Sequence, residues 1–157
     1  MSDHKKFMQM AIELAKENIN GHCGGPFGAV VVKDGQVVGK GVNKVTSNLD
    51  PTAHAEVEAI RDACRNLGDF QLAGCTVYSS CEPCPMCLGA IYWARPDALF
   101  YGADRDDAAR AEFDDSLIYE EINKKNQSRR ITTRQIMRME ALDVFELWIN
   151  KTNKKKY

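Results

Sequence analysis

A chain of 157 residues, 44 % of them hydrophobic, has enough apolar side chain for one buried core, so a single domain over residues 1–157 is expected. A formal net charge of -1 argues against a broadly basic nucleic-acid binder. The start, Met1-Ser2-Asp3-His4-Lys5-Lys6, lacks the apolar run of a signal peptide, and no later stretch is long enough to span a bilayer. A cytoplasmic protein that makes no membrane contact is therefore expected. In such a reducing compartment six cysteines do not build a disulfide framework, and Cys81, Cys84 and Cys87 crowd together in a way that favours a metal.

In chain order, Phe7, Met10, Ala11, Leu14 and Ile19 recur at helical spacing, which predicts an amphipathic helix over 3–20 with Ser2 or Asp3 as its cap. Gly21-His22-Cys23-Gly24-Gly25-Pro26 breaks it. A glycine-rich connector is a poor scaffold for metal, which sets His22 and Cys23 aside as ligands. Phe27–Lys33 reads as a buried strand, Asp34-Gly35 as a hairpin turn, and Val37–Val42 as the returning strand. Asn43 follows at the strand end. Asp50-Pro51-Thr52 leads into a helix from His54 to Leu67, stopped by Gly68, with Val57, Ile60, Ala63, Cys64 and Leu67 as its apolar stripe. A third strand is expected over Cys75–Ser79, a helix over Pro85–Ala94 with proline in its first turn, and a fourth strand over Ala98–Tyr101. An acidic segment, 104–121, precedes a short helix near 114–122. From Lys124 the charge reverses, with a fifth strand expected near Ile131–Met137 and a helix near Leu142–Asn150. Alternating strands and helices after an opening hairpin predict an α/β fold with helices on both faces of a mixed sheet, a three-layer α/β/α sandwich.

The chemistry concentrates in His54-Ala55-Glu56 and Cys84-Pro85-Met86-Cys87. Cys84 and Cys87 are three apart, so both sulfurs share one face of a helix's first turn. The helix N-terminus favours thiolates there. His54 and Glu56 are two apart and can serve one site only at a helix start, which implies two helix N-termini facing each other across a zinc ion. Three protein ligands describe a catalytic zinc, four a structural one. Cys81 as a fourth ligand would close the site and leave Glu56 beside the metal without a task. With the site open, zinc lowers the pKa of a bound water and Glu56 is placed to move its proton.

With Pro83 ahead of Cys84, these residues resemble the H-x-E…P-C-x-x-C pattern of the zinc nucleobase deaminases. The resemblance extends over Asp50–Glu56 and Glu82–Ala90, signatures shared by guanine deaminases and tRNA adenosine deaminases. Further stretches resemble the bacterial guanine deaminases of the cytidine-deaminase fold: Gly24–Val30, Gly89–Pro96, Glu112-Phe113-Asp114-Asp115-Ser116 and the terminal Tyr157. That resemblance implies a five-stranded sheet and one zinc ion per subunit. It also implies a homodimer in which the C-terminal helix and tail, about 139–157, cross to the partner's site.

The activity implied is zinc-dependent hydrolysis of guanine to xanthine and ammonia, with a small purine base as partner and no nucleic acid. Metal ligands would be His54, Cys84 and Cys87, and Glu56 and Asp115 the catalytic groups. Phe27 and Trp93 would bracket the flat base by stacking. Asn43 and the Ala55 N–H would meet its edge, Asp115 would accept from its N1–H and 2-amino donors, and Tyr157 would close the pocket. The alternatives are a tRNA adenosine deaminase, a deaminase of another small aminated base or nucleoside, and a non-catalytic zinc-binding module.

Overall fold

The computed structural model describes residues 3–157, so Ser2 as a helix cap lies outside them. The chain divides into two compact units, Met1–Asp115 and Ser116–Tyr157.

In the first unit, helix α1 (Asp3–Gly21) precedes strands β1 (Gly28–Lys33) and β2 (Gln36–Val42). These two form a hairpin whose turn residues Asp34 and Gly35 both have positive φ, 49° and 74°. Asp-Gly suits that left-handed pair. After the short α2 (Val45–Asn48) come α3 (Ala55–Leu67), β3 (Cys75–Cys81), α4 (Pro85–Ala94), β4 (Ala98–Ala103) and α5 (Arg105–Arg110). The sheet order is β2-β1-β3-β4; β1 is antiparallel to both neighbours, and β3 and β4 are parallel. The sheet is therefore mixed, with α4 as the crossover that a parallel pair requires.

Period-two alternation sends successive side chains to opposite faces. Ala29, Val31, Cys75 and Val77 point with Leu72 and Ala94 toward α3, while Val30, Val32 and Tyr78 pack with Phe7 and Ala11 of α1. Helices thus cover both faces. The α3 layer is unusually close because its inward residues are Ala55, Ala59 and Ala63, all fully buried. They meet glycines on β2: a Cβ at Gly39 would lie 2.5 Å from the Ala59 carbonyl oxygen, and one at Gly41 would run into the Ala55 oxygen and the Ala59 nitrogen. Alanine against glycine lets helix and strand backbones touch. α3 ends as its sequence predicts, with Gly68 in the left-handed conformation and its N–H on the Arg65 and Cys64 carbonyls.

The second unit holds α6 (Ser116–Ile122), a 3-10 turn (Asn126–Ser128) and α7 (Arg138–Asn150). Glu121 ties its first half together, accepting from Lys124 Nζ at 2.6 Å and the Arg130 N–H at 2.7 Å. None of its residues is buried.

The expected fifth strand is not formed: the sheet has four strands among the described residues, and 131–137 is irregular up to α7. Ile131 and Ile136 are β-branched but largely exposed, and with no ladder partner β propensity has nothing to act on. α7 begins four residues before the expected Leu142, and the unexpected α5 is so short, charged and poor in apolar residues that its sequence carries no helical periodicity. Among the described residues no helix is long and apolar enough to cross a membrane.

Candidate metal centre and active site

His54 is the N-cap of α3 and Cys84 the N-cap of α4, both extended in backbone (φ -76°, ψ 157° and φ -62°, ψ 168°). Pro85 opens α4 at the position where a missing N–H costs nothing. The lead-in to His54 is held in turns. Asp50 Oδ1 accepts from the Thr52 N–H at 2.8 Å and the Thr52 hydroxyl at 2.7 Å, and the His54 N–H donates to the Thr52 carbonyl at 2.8 Å. These bonds hold the Asp50 carboxyl below its usual range.

His54 Nδ1 lies 3.5 Å from Cys84 Sγ and 3.4 Å from Cys87 Sγ, and the three ligand atoms all fall within 4.8 Å of one another. A tetrahedral zinc, with bonds of about 2.1 Å to nitrogen and 2.3 Å to sulfur, sets such N and S atoms about 3.6 Å apart. The donor set fits zinc. Its protonation also fits: Cys84 is a thiolate held down to about 4, first by the Cys87 thiol donating to it. Cys87 is pushed up by the same bond, by burial and by the Glu56 charge, and its proton is the one a cation would displace.

Glu56, in the first turn of α3, is 6 % exposed. Burial raises its pKa, partly offset by hydrogen bonds from its own backbone N–H, the Cys87 thiol and Ser79. The Ser79 hydroxyl donates to Glu56 Oε1 at 3.0 Å. Cys81 is not in the ligand group: its thiol donates to the Asp104 carbonyl at 3.7 Å, and burial keeps it protonated, with a pKa of about 11. The turn between Cys81 and Cys84 instead braces α5. Glu82 Oε2 accepts from the Arg105 N–H at 3.1 Å, and the Glu82 N–H donates to the Ala103 carbonyl at 2.8 Å. Asp104 and Asp107 complete a capping box at the same helix start.

Of the other expected residues, Asp115 comes into electrostatic reach of the metal group: burial raises its pKa, and the Cys84 charge adds to that. Asn43 is buried, and its Oδ1 accepts from the Gly25 and Val45 N–H groups at 3.1 and 3.2 Å. Its carbonyl is thus committed to the loop, and the amide NH2 is the part left to meet a ligand. The Phe27 ring meets Phe113 edge-on, with centroids 4.9 Å apart, and lines an apolar cavity of about 440 Å³ with Ile12, Ile19 and Cys81. Ala55 is buried as the first residue of α3, where N–H groups have no partner within the helix. Trp93 sits in the last turn of α4, away from the helix start that carries the thiolates, and is 65 % exposed. Tyr157 is exposed at the end of the second unit. Ser79 is not among the expected site residues, and Glu82 and Phe113 are expected only as parts of the stretches that carry the resemblance. A serine at a core-facing position of a buried strand was the one legible signal.

Residues 1–103 match the cytidine and deoxycytidylate deaminase zinc-binding region. The chain belongs to that deaminase family. Zinc is accordingly the metal that His54, Cys84 and Cys87 suit. Among the deaminases it resembles, guanine deaminase of Bacillus subtilis (strain 168) is 56 % identical over 155 residues, covering 99 % of both chains. The X-ray structure of Bacillus subtilis guanine deaminase matches with a TM-score of 0.96 at 56 % identity over 98 % of each chain. A tRNA-specific adenosine deaminase of Buchnera aphidicola subsp. Baizongia pistaciae is 45 % identical over 100 residues, 63 % of this chain and 60 % of its own.

Proposed function

We propose that this protein hydrolyses guanine to xanthine and ammonia. One observation carries the choice of base: likeness to a guanine deaminase runs through the whole chain at 56 % identity, whereas likeness to the tRNA-specific enzyme stops at 100 residues. Bound zinc supplies Lewis acidity that makes a water ionisable near neutral pH. Glu56 takes the water proton, passes it to ring nitrogen N3 and later carries a proton to the departing amine; C2 gains an oxygen and loses ammonia. Its buried, raised-pKa carboxyl suits a group that must hold a proton for part of the cycle.

Asp115 accepts from the N1–H and 2-amino donors and helps the amine leave. Phe27 and Trp93 stack on the ring, while the Asn43 amide and the Ala55 N–H meet its acceptors. Residues 1–157 act as one functional domain in a cytoplasmic homodimer, in which the C-terminal segment of each protomer, ending in Tyr157, closes its partner's site. The exposed apolar side chains of α7, among them Phe145 and Leu147 in a unit without a buried residue, support a partner for that helix.

The test of mechanism is Glu56→Gln. The variant should retain one zinc per chain by elemental analysis and lose at least about 100-fold in kcat, the lower end of what general acid–base groups contribute. A zinc-loaded Glu56→Gln protein with near-normal turnover removes Glu56 from the role.

A further inference from the structure

We infer that Ser79 is the positioning residue that holds the proton-carrying carboxylate of Glu56, an inference that rests on the reading of Glu56 given above. Ser79 occupies the third-last position of β3, on the face that carries Cys75 and Val77 toward α3. Alternation would place an apolar side chain there. A hydroxyl 2 % exposed in such a core is costly unless it is hydrogen-bonded, and its bond is to Glu56 Oε1 at 3.0 Å.

The strand behind this hydroxyl is hydrogen-bonded on both edges. β3 is an interior strand, with Ser79 paired to Ala29 of β1 on one side and Tyr101 of β4 on the other. Two residues later the same strand ends at Cys81 and turns into Cys84. His54 and Glu56 come from α3, and the thiolates follow β3. The Ser79–Glu56 bond therefore ties the segment that carries the proton to the segment that carries the sulfurs, holding one carboxylate oxygen against a strand paired on both sides. A glutamate side chain has three rotatable bonds before its carboxylate, and losing this anchor lets the acid leave the geometry that proton transfer needs.

Ser79→Ala deletes only the hydroxyl and Ser79→Thr restores it. Zinc content, thermal midpoint, KM and kcat for guanine are to be measured on both. Ser79→Ala is expected to bind one zinc per chain, to keep KM within about twofold, and to lose about 10- to 100-fold in kcat, part of the general acid–base contribution. Ser79→Thr is expected to recover most of that loss. The inference fails if zinc-loaded Ser79→Ala turns over like the parent protein, or if Ser79→Thr is as impaired as Ser79→Ala. Glu56→Gln, run alongside, separates the two levels: an active Glu56→Gln protein removes the underlying reading, whereas an inactive one beside a fully active Ser79→Ala removes only the inference.

Discussion

A hydroxyl, a carboxylate and three thiols take different parts here because of what each touches. Cys81, Cys84 and Cys87 lie within one turn of chain, yet Cys81 spends its thiol on a backbone carbonyl and only the other two face His54. Cys81→Ser should therefore leave zinc stoichiometry at one per chain, while Cys84→Ser or Cys87→Ser removes a ligand and should lower zinc affinity severely. Elemental analysis after dialysis against a chelator distinguishes them; zinc loss from Cys81→Ser would restore the closed-site alternative. Zinc removal itself should abolish turnover and lower the thermal midpoint, and added zinc should restore both, because binding energy at a preformed site is also folding energy. The His–Glu and Cys–Cys spacings made these ligands legible in the sequence. The Ser79–Glu56 bond was not, since it joins residues 23 apart through sheet packing alone.

At the level of elements, the position of His54 and Glu56 depends on how closely α3 sits on β2. The Gly41 position has no room for a methyl group, with the Ala55 carbonyl and the Ala59 nitrogen in the way. Gly41→Ala must push the start of α3 outward and is expected to destabilise by about 1–3 kcal/mol, the range for overpacking. The shift falls at the first turn, so zinc affinity should drop with the thermal midpoint; titration with a zinc-competing chelator checks this. α5 offers a contrasting case. It is fixed by Glu82, a residue inside the zinc signature that binds no metal, and α5 leads into Phe113 and Asp115. Glu82→Ala should keep zinc and raise KM a fewfold, with Glu82→Gln recovering because its amide oxygen still accepts. Equal KM values for all three proteins would detach α5 from substrate binding. The hairpin, α3 and α4 could be read from the sequence because turn, cap and periodicity agree there. The stretch 131–137 is rich in β-branched residues yet forms no strand, because that composition describes a strand only if an edge is available to pair with.

The whole molecule separates a compact catalytic unit from a C-terminal unit with no core of its own. Its apolar helix and basic tail end on Tyr157, the residue proposed to close a site. Deleting 153–157 should leave zinc bound and the first unit folded while raising KM or lowering kcat for guanine at least about tenfold, the equivalent of roughly 1.4 kcal/mol of transition-state binding. Unchanged kinetics would detach the tail from the site. The zinc core was legible because its ligands are local in sequence. The choice of base was not legible from that core, which it shares with tRNA-specific relatives; likeness to a guanine deaminase along the whole chain is what supports it. The most direct measurement is ammonia release by the zinc-loaded protein offered guanine, guanosine, adenine, cytosine and tRNA in parallel. Guanine should be consumed with stoichiometric xanthine and the others spared; turnover of adenosine in tRNA with guanine untouched would contradict the account.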